Sequence, residues 1–481
     1  MTENSEQESI TSLTKSDKRK MYTDSCHNVN HVKSIVTRIQ IGTLAIGLLA
    51  FLVDTAAAQS TEQAVSTGDT AWILISAALV MLMTPAVGFF YGGMVRKKNV
   101  LGIITQSFVI LALVSIQWVI IGYSLSFGPD FDGLFAGIIG NLKWLGLEGV
   151  GSIPNSNYAP TIPHLTFAIY QAMFAIITPA LVIGAFADRV KFSAFIAFTV
   201  LWSTFVYDPI AHWVWGTGGW IKALGALDFA GGTVVHISAG FSALVAALIV
   251  GKRYRFGSES EMRPHNITMT ILGASLLWFG WFGFNAGSAL SAGALATQAF
   301  VTTNTAAAAA GLSWMTISWI HSGKPSSLGI VTGSVCGLVA ITPAAGFVNT
   351  LSAIIIGILA GSICHTAVVL RTTKTRIDDT LDVFSCHGVG GVVGSIATGI
   401  FAQKLVNPNG ADGLLAGNPS LLMSQLIAVG ATALYAVAAT SMLLIILRRV
   451  MGFRVKTEEE IIGLDISQHG EEAYPDMDIP A

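Results

Sequence analysis

Charge is scarce in this sequence. Of 481 residues only 11% are Asp, Glu, Lys or Arg, while 52% are hydrophobic; an average soluble domain carries roughly 25% charged residues. A chain this poor in charge cannot cover its apolar surface with hydrated groups, which excludes an ordinary soluble globule. The net charge of -2 and the pI near 6.5 exclude a broad basic face, and with it nucleic acid as a partner. Cysteine is scarce as well. Cys26, Cys336, Cys364 and Cys386 show no CxxC or other metal-ligand spacing, and the last three sit in apolar runs where a thiol behaves as a small hydrophobe. No disulfide, metal site or cofactor is expected. The class that remains is an all-α polytopic membrane protein.

Residues 1–58 differ from the rest. Basic residues from Lys15 to Arg38 precede the run "IGTLAIGLLAFLV", which is short for a membrane span and ends in "TAAAQS". A basic segment, a short apolar core and small residues at A-x-A spacing form a secretory signal, with cleavage expected after Ala58. The alternative is an uncleaved extra helix, against which Asp54 and the brevity of the run argue. The expected organisation is a signal segment over 1–58, a membrane domain over 59–450 and a cytoplasmic tail over 451–481.

Eleven apolar runs follow, at about 71–94, 101–126, 164–187, 192–210, 228–250, 267–290, 297–320, 327–344, 347–369, 381–402 and 419–447, each measured against the roughly 20 residues that cross a bilayer core. The connections after odd-numbered runs carry 17 Lys and Arg, whereas those after even-numbered runs carry Lys143, Lys222 and Lys404. Basic residues gather on the cytoplasmic side, so the expected topology is N-terminus outside and C-terminus inside, in a bacterial inner (cytoplasmic) membrane. An odd count divides into two five-helix repeats of opposite orientation plus one added helix.

Two segments stand out within the apolar runs. "LDFAGGTVVHIS" places Asp228 eight residues before His236, and "DTLDVFSCHGVGG" places Asp379 eight residues before His387. They open runs 5 and 10, the last of each half. Ionisable groups inside membrane spans are costly and point to a functional path, although two histidines can also simply tie helices together. Neutral imidazoles donate one hydrogen bond and accept another, so a pair suits a small hydrogen-bonding solute, a proton relay or, in a remoter reading, axial haem ligation. Asp228 and Asp379 are suited to helix capping; at the second segment Asp378 could cap as well. A carboxylate at Asp228 would also favour a monovalent cation nearby. "YDPIAHWVWGTGGW", Tyr207 to Trp220, reads as an aromatic external loop, either an interfacial belt or a cation-attracting cage.

The segments "TPAVGFFYGGMVRKKNVL", "GAFADRVKFSAF", "YDPIAHWVWG", "GALDFAGGTVVHISAG", "GWFGFNAGSA", "GLVAITPAAGF", "DVFSCHGVGGVVGSIATGIF" and "GLDISQHGEEAY" together resemble the Amt/Mep ammonium transporter family, related to the Rh proteins, over roughly residues 70–475. The resemblance implies a homotrimer in the lipid bilayer, each subunit an eleven-helix bundle with its own narrow pore, carrying ammonium or methylammonium. By motif it implies an outer substrate site of Trp215, Phe174 and Ser288 with Asp228 behind it. It further implies a gate of Phe174 and Phe284, twin pore histidines His236 and His387, and Trp281 and Thr342 near the pore. The tail from Gly463 to Tyr474 resembles the region that couples subunits and, in many bacterial members, accompanies regulation by a PII-type signalling protein. An ammonium sensor that signals through its tail is the alternative function; no enzymatic activity is expected.

Overall fold

The structure is a computed structural model that describes residues 65–131, 133–258 and 263–475; the signal-like segment lies outside the described residues. The chain runs through α1 (Thr67–Met94), α2 (Lys97–Phe127), α3 (His164–Ala185), α4 (Phe192–Ala223), α5 (Gly232–Val250), α6 (Ile267–Ala289), α7 (Ala294–Ser322), α8 (Ser327–Ile341), α9 (Thr350–Lys374), α10 (Phe384–Phe401), α11 (Pro419–Val450) and the short α12 (Thr457–Ile462). Among the described residues there is no strand beyond three isolated bridges. Nine of these helices, α1–α6 and α9–α11, are long and apolar enough to cross a membrane. The predicted runs at 297–320 and 327–344 coincide with α7, whose 29 residues are rich in alanine and threonine, and α8, which has only 15 residues.

Polar side chains close the helix starts. Ser66, Asn266, Ser326 and Asn349 each accept from the backbone N–H three residues on, at 2.9 to 3.2 Å. Each satisfies a donor that has no partner inside its helix. One sequence expectation is corrected here. Tyr207 to Trp215 do not form an external loop: a π-helical turn at Ser203–Tyr207 leads directly into helix Asp208–Trp215, and only residues 216–219 interrupt the helix before its last turn, Trp220–Ala223. Pro209 occupies the first turn of that helix, where its missing N–H costs no intrahelical bond.

Small residues set the helix spacing. A β-carbon on Gly357 of α9 would collide with the Ala306 carbonyl of α7, and one on Gly361 with that of Ala310; Gly337 of α8 leaves 2.5 Å to the Ala306 carbonyl. Apolar side chains gain little by leaving lipid for one another, so close backbone approach supplies the attraction.

Charge is concentrated at one end. Asp188 pairs with Arg96 at 3.1 Å and Arg253 at 3.4 Å, Arg253 reaches Asp378 at 2.8 Å, and Glu460 joins Arg454 at 2.8 Å. Arg189 is fully buried and donates to the carbonyls of Ala185, Ala187, Gly251 and Asp378 and to the Thr380 hydroxyl. Burial pushes Asp378 up, but the adjoining Arg253 guanidinium outweighs it and holds the carboxyl below the usual carboxylate range. That pairing stabilises the fold at neutral pH and is lost as pH falls through the lowered value. Residues 451–475 dock on this end, with Asp465 accepting from the N–H groups of Leu101 and Gly102 at 3.0 and 2.7 Å, near the start of α2.

Substituting Gly357→Val should force α7 and α9 apart and destabilise the protein by about 1–3 kcal/mol, the usual cost of overpacking. A lowered Tm of the purified protein in detergent is the expected result, with Ser313→Ala as a mild control.

Candidate functional site

Two chambers lie in line within the bundle. The wider, about 170 Å³, is lined by Phe174, Trp215, Ser288, Asp228, Tyr158, Gln171, Lys222 and neighbouring apolar side chains. The narrower, about 10 Å³, is lined by Phe284, Trp281, His236, His387 and apolar residues including Ile177, Leu181 and Leu277. That volume is at the lower limit for a single water. Phe174 borders the first chamber and Phe284 the second. Their rings are 4.3 Å apart between centroids and tilted by 35°, and both are 1% exposed, so the two rings stand between the chambers.

The wider chamber has aromatic faces and the hydroxyls of Ser288 and Tyr158. Trp215 meets Phe174 edge to face at 5.9 Å, and its indole N–H donates to the Asp228 carbonyl at 3.0 Å. The Ser288 hydroxyl donates to the Phe284 carbonyl at 2.9 Å. Its proton is thereby committed, and its lone pairs are left to accept from a donor in the chamber.

Asp228 shows how the first Asp–His segment is built. One carboxylate oxygen accepts from the N–H groups of Gly231 and Gly232, both at 2.7 Å. The other accepts from the N–H of Thr233 at 2.8 Å, that of Val234 at 3.3 Å, and the Thr233 hydroxyl. Gly231 has φ +114°, a conformation that favours glycine, and it turns its own N–H toward the carboxylate. Asp228 therefore organises the start of α5, with its negative charge against the positive end of the helix. The second segment is similar but less saturated. Asp379 accepts from the Phe384 N–H at 2.8 Å, and its other oxygen is buried without a partner.

Both histidines sit in π-helical turns, Gly232–Ile237 and Phe384–Gly388, a local widening common at functional sites. Their rings are nearly parallel, 5.3 Å apart between centroids, and their Nδ1 atoms are 3.2 Å apart. One Nδ1 must donate and the other accept, so the pair shares one proton between two neutral rings. Nε2 of His236 is buried with no partner, an unmet polar group that calls for explanation in a close-packed interior. The glycine four residues after each histidine makes this contact possible. A β-carbon on Gly240 would collide with Gly388, and one on Gly391 would come within 3.1 Å of His236 Cβ and 3.0 Å of the Gly232 carbonyl. Trp281 stacks on His236 at 5.5 Å and donates to the Thr342 hydroxyl at 2.9 Å, which in turn donates to the Leu338 carbonyl.

All nine residues expected at the site lie along this path or directly against it. Thr342 stands behind Trp281 rather than lining a chamber. Tyr170, Gln171, Tyr158 and Lys222 were not picked out by the sequence. Tyr170 donates to the Gly283 and Phe284 carbonyls and lies 3.2 Å from the Ser288 hydroxyl; its position in "AIYQAMF" carries no signal beyond packing. The glycines at His+4 were visible as a recurrence. Cys336, Cys364 and Cys386 are buried and unbridged, packed with Trp314. Among the described residues no group of His, Cys, Asp and Glu is arranged to hold a metal ion.

The fold defines a multi-pass helical membrane protein with two internal cavities, the narrower of them mostly apolar. A family model described as the Ammonium Transporter Family matches residues 71–474. The chain is 51% identical over 409 residues to the ammonium transporter of Bacillus subtilis, covering 85% of this chain and 99% of that protein. It is 53% identical over 409 residues to ammonium transporter Amt1 of Archaeoglobus fulgidus, covering 85% and 100%. The crystal structure of Saccharomyces cerevisiae Mep2 matches with a TM-score of 0.77 at 39% identity, covering 82% of this chain and 92% of that one. A structure titled "Sensor Amt Protein" matches with a TM-score of 0.76 at 30% identity, covering 84% and 98%. The chain belongs to the ammonium transporter family.

Asp228→Asn would turn an amide donor toward backbone N–H groups that now find an oxygen. Leaving buried donors unmet costs about 1–3 kcal/mol. The variant should melt at lower temperature than wild type and show weaker ammonium-driven flux, because the start of α5 and the support of Trp215 are both disturbed.

Proposed function

We propose that the protein conducts ammonium across the cytoplasmic membrane as a homotrimer, each subunit with its own pore. Its eleven helices would form two inverted five-helix repeats and one added helix, with the N-terminus outside and the C-terminal tail in the cytoplasm. The observation that carries this reading is the His236–His387 pair, with an unpartnered Nε2, beside an apolar cavity of about 10 Å³. The paired crossing of α5 and α10 supports the inverted repeat, and the clustering of Arg96, Arg189, Arg253 and Arg454 at one end supports the orientation.

In this reading ammonium enters the wider, outer chamber. Trp215 and Phe174 offer π faces, which attract a cation by roughly 0.5–2 kcal/mol, and Ser288 accepts a hydrogen bond. Potassium has similar size and charge but no proton to donate. Beyond the phenylalanine pair an ion would lose its water without replacement, at a cost far above any contact available there. The ion therefore gives up its proton to water in the outer chamber or, by way of it, to the imidazole pair, and ammonia passes Phe174 and Phe284. The histidine pair then offers a donor and an acceptor at the depth where water is excluded, and conducts the solute, the proton or both. The docked tail would couple subunits and receive a PII-type protein.

A second reading, an ammonium sensor, is favoured by the likeness to the structure titled "Sensor Amt Protein". Solid-supported-membrane electrophysiology on reconstituted protein separates the two. Ammonium pulses should give a transient current that potassium pulses do not, and His236→Ala should diminish or alter it. If wild type gives no current but a pH-sensitive dye reports ammonium uptake, conduction is electroneutral. Silence in both assays would favour the sensor.

A further inference from the structure

We infer that Lys222 sets the affinity of the wider chamber for monovalent cations by holding a fixed positive charge on its rim; the inference rests on the transport reading above. Among the residues lining the wider chamber only Asp228 and Lys222 carry a formal charge. The Asp228 oxygens are turned onto backbone N–H groups and the Thr233 hydroxyl. Lys222 is exposed. Its ammonium donates to the Trp215 carbonyl at 3.1 Å and lies 5.7 Å from the centre of the Tyr158 ring.

The group so held is itself an alkylammonium, bound by a carbonyl oxygen and an aromatic face. Those are the kinds of partner an ammonium ion uses, so the site carries a tethered analogue of its substrate on its rim. Its charge has a definite consequence. With Asp228 alone the chamber would have a net charge of about -1 and would concentrate potassium and ammonium alike. With Lys222 present the two charges offset each other and every monovalent cation is held more weakly by the same factor, so any preference for ammonium still rests on its donation to Ser288. A like charge on the rim of a partly aqueous chamber weakens cation binding by about three- to fivefold. Salt screens that repulsion over a Debye length of about 8–10 Å.

The test is an ammonium titration of the full chain in proteoliposomes by solid-supported-membrane current, comparing wild type, Lys222→Gln and Lys222→Arg at low and high sodium chloride, with potassium as competitor. Lys222→Gln should lower the half-saturation concentration about three- to fivefold at low salt while keeping the maximal current. The difference should shrink at high salt, and potassium's inhibitory concentration should fall by the same factor, leaving its ratio to the ammonium half-saturation unchanged. Lys222→Arg, which keeps the charge and a donor for the Trp215 carbonyl, should behave as wild type. A structural role through the Trp215 carbonyl would move half-saturation upward instead. That result, an unchanged half-saturation, or Lys222→Arg behaving as Lys222→Gln overturns this inference alone. A wild-type protein that gives neither current nor pH-dye response to ammonium overturns the transport reading and this inference with it.

Discussion

The approach of α5 to α10 is the constraint on which the path depends. At Gly240 and Gly391 the two helices come so close that a single β-carbon on either side would meet the other helix's backbone or His236. Only at that spacing can Nδ1 of His236 and Nδ1 of His387 stand 3.2 Å apart. Everything around the pair serves to hold it. Asp228 and Asp379 organise the helix starts, the π-helical turns rotate the rings inward, and Trp281, tied to Thr342, covers one face. The pair stays polar without a net charge in a place where an isolated ion would be prohibitively costly.

The same cost explains how charge is distributed over the molecule. Guanidinium groups are gathered at one end, where Arg96 and Arg253 pair with Asp188, Arg253 also with Asp378, and Arg189 is saturated by carbonyls and a hydroxyl. Buried charges of this kind add little net stability but penalise any arrangement that separates them. They therefore specify how α2, the turns after α3 and α5, the segment before α10 and the tail come together. Glu460, Asp465 and Asn99 bring residues 451–475 into that arrangement, so the tail is part of the folded body and not an appendage.

Along the path, polarity falls in steps. The wide chamber has the hydroxyls of Ser288 and Tyr158, a lysine and three kinds of aromatic face; next come two phenylalanine rings; then a cavity whose only polar groups are imidazoles and the rims of Trp281 and Tyr91.

Membrane character, the nine long apolar helices and the two Asp–His segments were legible in the sequence, because apolar run length and intramembrane charge are local properties; the expected site residues were named by resemblance to family motifs instead. Capping by Asp228 was legible for the same reason, since its partners lie within six residues. The helical state of Tyr207 to Trp215 was not, because aromatic-rich ends of spans look alike whether coiled or wound. Nor were Tyr170, Tyr158 and Lys222 at the chamber. Their roles arise from carbonyls and rings 7 to 118 residues away, which no local pattern encodes. The residue types and their spacing determined what chemistry was available. Only the folded bundle decided that two histidines 151 residues apart would touch, because that contact exists solely where two glycine-faced helices cross.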